Sequence, residues 1–418
     1  VQDEITRLTV ANLQIALPPE TQSFLAANYE EAELDAYILY RRGKEIYERP
    51  RTLETIEEII DYYEQALEVD PGYAAAHAGL CNAYVSKYNK TNLAENIEIA
   101  EAACGSALAS SPRLFMVHSA LGDLYRRTGR LSEAEEYYRQ ALEINAQAAD
   151  AMSGLATVYQ QQGEFSEAEE LFNAAIVTQP GNWRVINSLG TFLFAMGRYE
   201  EAADAYRQVV FLDPENYQSR SNLGSALTMI GDFESGRQAF EAAREIEPTA
   251  GTLSNIGVLH YYLGRFDESI QAHREAIKLA SGDPLRYLNL ADTLYFAGEV
   301  EESQEMFKRA DELSADRLSV DSSDSNTMYM QAWARQMLGD SDTARDLIAK
   351  GMALAPTNPY GFYYAALIET RNGEYATAVD YLESAIENGY PVAMLAAEPY
   401  LGELRSRRDF ESLLSEFE

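Results

Sequence analysis

A glycine returns along this chain at nearly constant intervals. Gly129, Gly163, Gly197, Gly231, Gly264, Gly298, Gly339 and Gly373 are separated by 34, 34, 34, 33, 34, 41 and 34 residues. Fixed periods of this length mark architectures in which one supersecondary unit is stacked on the next. Other residue classes keep the same interval. Small residues precede six of the glycines by seven positions: Gly122, Ala156, Gly190, Gly224, Gly257 and Ala291. Five positions after the glycines stand Ala134, Ala168, Ala202, Gly236, Ser269, Ser303, Ala344 and Ala378. Nine after them come bulkier residues, Tyr138, Phe172, Tyr206, Phe240, His273, Phe307, Ile348 and Leu382, and three further on small ones return, from Ala141 to Ala385.

The unit this pattern describes is a helix, a turn and a second helix. Leu121 and Tyr125 lie on one helical stripe, and Ala134, Tyr138 and Ala141 make the matching stripe on the next helix. The glycine between them ends the first helix, where a left-handed residue is needed. Small side chains at the helix crossing let the backbones approach, and the aromatic fills the remaining space. Pro180, Pro214, Pro248 and Pro356 then stop the second helix.

On these residues the chain resembles the tetratricopeptide family. One unit matches through Leu121-Gly122, Tyr125, Ala134, Tyr138 and Ala141, the next through Leu155-Ala156, Tyr159, Ala168, Phe172 and Pro180, and a third through Leu189-Gly190, Ala202, Tyr206 and Pro214. The resemblance implies an all-α fold, a right-handed α-solenoid superhelix of about ten units starting near residues 35, 74, 115, 149, 183, 217, 250, 284, 325 and 358. The first two units are stretched by extra residues between their helices.

Three segments depart from the pattern. The polar run 314–326 coincides with the 41-residue interval and is expected to be a loop separating repeats 35–313 from repeats 327–390. Residues 391–418 leave the repeat, and Leu404, Phe410, Leu413 and Leu414 are expected to cap the apolar face of the last unit. Residues 1–34 are expected to hold an amphipathic helix over 1–17, with Ile5, Leu8 and Leu13 on one side, as the end of a preceding domain, because the chain starts at Val1 and not at a methionine. The opening and the tail Tyr400–Phe410 resemble a bacterial arrangement in which repeats follow a winged-helix regulator, an adenylate cyclase or a kinase. That resemblance implies a regulatory arm as the alternative function.

Catalytic classes find little support. No Gly-Lys-Ser/Thr phosphate loop, His-Glu-x-x-His motif or Gly-x-Ser-x-Gly elbow occurs, and the glycines are accounted for by turns and crossings. No enzyme and no cofactor are expected. The four histidines, His77, His118, His260 and His273, are too scattered for a metal site and are expected to replace core aromatics, with His260 and His273 near each other and a source of pH-dependent softening. Cys81 and Cys104 fall in one unit. A bond between them can be drawn, but an offset of about one helical turn between antiparallel helices favours buried free thiols. The compartment stays open.

The net charge of −34, from 33 basic against 67 acidic residues, opposes direct binding of nucleic acid or anionic lipid and favours a basic partner. In the family the first helix of each unit lines the inner groove, so a protein–protein interaction scaffold holding an extended peptide is expected. The residue before each Leu-Gly pair is small at Gly79, Ala120, Gly154 and Ser188, and then becomes Asn222, Asn255 and Asn289, a run resembling the asparagine ladder of O-linked N-acetylglucosamine transferases. Carboxamides can pair with the main chain of any extended peptide. The other outcome is that each Asn bonds within its own or the neighbouring helix. Phe194, Tyr261, Tyr262, Tyr295 and Phe296 add aromatic anchors, unless they pack between units.

Overall fold

The computed structural model describes residues 31–47 and 52–417. The helix expected over 1–17 lies outside the described residues. Among these there are 22 α-helices, one 3-10 turn and no strand. The chain forms two compact units, Val1–Ser188 and Leu189–Glu418.

The N-terminal unit holds α1 (Glu31–Tyr47), α2 (Leu53–Val69), α3 (Ala74–Thr91), α4 (Glu95–Ser110), α5 (Phe115–Arg127), α6 (Leu131–Ile144), α7 (Ala149–Gln162) and α8 (Phe165–Thr178), and its boundary falls within α9 (Trp183–Ala195). The C-terminal unit continues with α10 (Tyr199–Leu212), α11 (Tyr217–Met229), α12 (Phe233–Ile246), α13 (Ala250–Tyr262), α14 (Phe266–Leu279), α15 (Pro284–Ala297) and α16 (Val300–Val320). It ends with α17 (Ser325–Met337), α18 (Ser341–Leu354), α19 (Pro359–Arg371), α20 (Tyr375–Glu387), α21 (Val392–Ala397), a 3-10 turn (Pro399–Leu401) and α22 (Arg408–Phe417). Within each unit the repeat helices pack as successive antiparallel pairs, each pair against the next.

The local reasons are those the period implied. The eight recurring glycines, Gly129 to Gly373, all have φ between +70° and +88°, where an L side chain is strained. Tyr138 is 1% exposed, and a Cβ added at Gly122 or Gly154 would stand 2.6 or 2.4 Å from its ring. One aromatic therefore clamps its own unit to the following one, and burying such a ring contributes roughly 1.5–3 kcal/mol.

Two expectations are corrected here. Residues 314–320, read as loop, continue α16, which has 21 residues where α14 and α18 have 14. The added turns bury Ser314, and their remaining polar residues form a solvated helical face, so polarity marked exposure and not irregular backbone. Cys81 and Cys104 form a disulfide, with Cα atoms 5.3 Å apart. They occupy the positions that Gly122 and Tyr138 hold in the next unit, which touch across the hairpin. The left-handed residue of the stretched unit is Asn92, at φ +54°, eleven after Cys81 and twelve before Cys104; Gly129 stands seven and nine from its pair. About one turn is thus added to each helix, which lengthens the hairpin and leaves the crossing in register.

Candidate partner-binding surfaces

In the C-terminal unit, the residues after the last repeat pack in two places. Helix α22 packs on α20, with Leu404, Phe410 and Leu413 buried and Leu414 half-buried. The preceding residues 392–401 run back over the first helices of earlier pairs. Ala393 sits where a Cβ at Gly231 would be only 2.8 Å away. Glu398, 2% exposed, accepts hydrogen bonds from the hydroxyls of Tyr261 and Tyr363, each at 2.8 Å. Tyr400 donates to Asp292 Oδ1 at 3.0 Å, which also accepts from Trp333 Nε1 at 2.9 Å. The Tyr400 ring centroid lies 4.6 Å from Phe296, 4.8 Å from Trp333 and 5.7 Å from Tyr295.

The aromatic groove expected to be open is therefore filled by the chain itself. Tyr261, Tyr295 and Phe296 are covered by the returning segment, Tyr262 stacks on Phe233 and Phe194 meets Tyr199 edge to face. The three asparagines stand in different settings. Asn222 Oδ1 accepts from Gln218 on its own helix at 3.2 Å, Asn255 is exposed, and Asn289 lines a cavity of about 70 Å³ left beneath Glu398 and Tyr400. Asp292, Trp333, Tyr363, Glu398 and Tyr400 were not legible as a site. The available signal was positional: Asp292 and Trp333 are equivalent residues of consecutive units, 41 apart, beside the crossing stripe.

Burial pushes Asp292 up to about 7, opposed by the Trp333 N–H and reinforced by the neighbouring Glu398 charge. Glu398 is raised by burial, against the hydrogen bonds of Tyr261 and Tyr363. The histidines divide into two kinds. His273 is fully buried over Gly257, and burial with the nearby His260 pushes it down to about 3. Neither of its ring nitrogens has a hydrogen-bond partner among the described residues. His118 is buried, with its ring 6.0 Å from that of Tyr137, and His77 is half-buried; their Nε2 atoms also reach the carbonyls of Pro112 and Pro71, at 2.8 and 2.9 Å. Arg220 and Arg286 reach Pro214 and Ala280 in the same way, tying the turn between units.

Among the described residues the N-terminal unit has a hollow of about 710 Å³. Gly79, Gly154 and Ser188 line it as expected, whereas Ala120 is fully buried. The small residues make room, and carboxamides of Asn82, Asn89, Asn145, Gln147, Gln179 and Asn182 stand around it. Asn82 Oδ1 is buried without a hydrogen-bond partner among the described residues. Tyr40, Tyr47, Phe115 and Trp183 supply aromatic surface. Among the described residues the charged lining is Lys44, Arg126 and Arg184 against Asp123 and Asp150, so the acidic excess of the chain does not extend into this hollow. Among the described residues no cluster of His, Cys, Asp or Glu is placed to hold a metal, and no helix is long and apolar enough to cross a membrane.

Family models agree with this architecture. The model described as the cilia and flagella-associated protein 70 C-terminal domain matches residues 89–319, and the one described as tetratricopeptide repeat matches residues 329–390. No curated protein matches the chain. Among solved structures, the human IFIT1 dimer with PPP-AAAA is similar at 16% identity and a TM-score of 0.47, over 72% of this chain and 69% of that one. YrrB, a TPR protein with an unusual peptide-binding site, is similar at 23% identity and a TM-score of 0.36, over 43% and 92%. A thermophilic TPR protein of Thermus thermophilus is similar at 20% identity and a TM-score of 0.36, over 43% and 99%.

Proposed function

The chain belongs to the tetratricopeptide-repeat family of the cilia and flagella-associated protein 70 C-terminal domain, and from that premise we propose that its N-terminal unit captures an extended peptide of a partner protein in the hollow beside Asn82. Arrays of this family are protein–protein interaction scaffolds. The observation that carries the finer reading is the buried Asn82 Oδ1, without a hydrogen-bond partner among the described residues, at the wall of a hollow of about 710 Å³. A buried acceptor left without a donor costs about 1–3 kcal/mol, which a peptide N–H entering the hollow recovers. Carboxamides serve this purpose without reading side chains, because each offers a donor and an acceptor. Trp183 and Tyr47 provide rigid aromatic contact area at small entropic cost.

The lining carries three cations against two carboxylates, which argues for a segment without strong net charge in place of the basic one expected from overall composition. Selection of a random linear-peptide library on the protein tests the reading. Selected peptides lose at least tenfold in affinity when Asn82 and Asn89 are changed together to Ala; peptides whose binding is unaffected by that change and by Trp183→Ala bind elsewhere and reject the site.

A further inference from the structure

We infer that the face of the C-terminal unit covered by Glu398-Pro399-Tyr400 is an exchangeable docking site for a partner segment carrying a glutamate two residues before a tyrosine, with the chain's own segment as its resident occupant. This inference is independent of the hollow in the N-terminal unit.

The resident segment is held as a ligand is held. Between the last repeat helix and α22 it has only a six-residue helix and a three-residue 3-10 turn, neither paired into a hairpin. Beside the fully buried Leu395 and Leu401, its polar attachment is made by two side chains. Glu398 takes two phenol hydroxyls, and Tyr400 enters a slot walled by Tyr295, Phe296 and Trp333 while its hydroxyl reaches Asp292. A buried aromatic with a few directed polar bonds is the pattern of interface hot spots.

The site is also poorly suited to be mere filler. Two carboxylates, Asp292 and Glu398, are gathered beside a residual cavity of about 70 Å³, where apolar side chains would pack at lower cost. The groups that bond to the segment, Tyr261, Tyr363 and Asp292, all belong to the repeat helices, as does Trp333, whose N–H holds Asp292. Within the segment, Arg405 donates to the Glu398 carbonyl at 3.1 Å and the Tyr400 N–H to Glu398 Oε1 at 3.2 Å, so the Glu-x-Tyr conformation is organised locally. A partner segment with that spacing can adopt it as well.

The test uses the full chain and a fluorescent synthetic peptide of residues 390–407. In the Glu398→Ala/Tyr400→Ala variant the resident anchors are gone; the peptide binds it at least tenfold more tightly than the unsubstituted chain, and a peptide carrying Tyr400→Ala does not bind. A variant that keeps its helical circular dichroism but does not bind the peptide overturns the proposal, as does equal binding by both chains. Should the variant lose its helical signal, hydrogen exchange on the unsubstituted chain decides: faster exchange of 392–401 than of α19 supports a segment that leaves by itself, and equal protection overturns it. A dimer of the unsubstituted chain that dissociates on Tyr400→Ala would make a second copy the occupant and overturn the assignment to a different partner.

Discussion

In Val1–Ser188 the first helices border a hollow of about 710 Å³, whereas in Leu189–Glu418 the helices carrying Tyr261, Asp292 and Tyr363 are covered by Glu398 and Tyr400, leaving about 70 Å³. Both units are built from the same hairpin, with the same left-handed glycines and the same buried rings. The repeat therefore specifies a wall and not what lies against it. What differs is the composition of the inner stripe: carboxamides and small residues in the first unit, tyrosines and a buried aspartate in the second. The first arrangement offers unspecific hydrogen bonds to solvent or a visitor; the second makes a slot that the chain's own tail fits.

The largest expected effect separates the two units directly. Tyr400→Ala removes the ring packed between Tyr295, Phe296 and Trp333 and is expected to cost the C-terminal unit roughly 3–5 kcal/mol. Hydrogen exchange should report the loss within 189–418 only; an equal loss within 31–188 would break the comparison. Conversely, replacing Cys81 and Cys104 together by Ser is expected to lower the stability of the N-terminal unit by about 2–4 kcal/mol, because 23 residues of separation are no longer closed in the unfolded chain. Denaturant titration with probes in each unit checks this, and a change confined to the C-terminal unit would contradict it.

A smaller effect tests the clamp between repeats. Gly154→Ala places a Cβ 2.4 Å from the Tyr138 ring, which is too buried to swing away, and is expected to cost about 1–3 kcal/mol by overpacking. An unchanged thermal midpoint would mean that this ring is free to shift. His273→Phe should act oppositely. Phe240 already fills the corresponding place over Gly224, and the change removes two buried nitrogens that have no partner among the described residues, for a gain of roughly 1–2 kcal/mol near neutral pH.

The remaining effects are in the pH dependence. His273 is lowered from 6.5 to about 3, so its contribution is present above about 6.5 and is lost as pH falls toward 3. Asp292 is raised from 3.8 to about 7, so its contribution is full below about 4 and is lost as pH rises through 7. The titratable groups that line its cavity are Glu398, Tyr261, Tyr262, Tyr363, Tyr364, Tyr400 and His273, with Trp333 donating to Asp292. Unfolding measured from pH 4 to 8 should therefore show less alkaline loss in Asp292→Asn and less acid loss in His273→Phe than in the unsubstituted chain. Parallel curves for either variant would remove that residue from the account.

Much of the molecule was legible because it is local. Gly129 and its equivalents need only their own φ, Tyr138 needs only the glycines of its own and the following unit, and the ten hairpins begin within a few residues of the expected starts. The candidate sites were less so. Tyr261 and Phe296 were recognised as inward-facing aromatics, but their cover comes from residues 398 and 400, with Glu398 bonded across 137 positions and Tyr400 to Asp292 across 108. The disulfide was missed because the antiparallel helices were expected to offset the cysteines by about one turn, whereas the residues added on each side of Asn92 leave them in register.

Periodicity alone specified paired helices, left-handed turns and rings buried over small residues, since each depends on contacts within one unit or between neighbours. Tertiary structure alone decided which inner face stays open and which is filled. A tail beyond the repeats has no period to place it; it goes where its few anchoring side chains find buried partners, and those partners come together only after the helices have stacked.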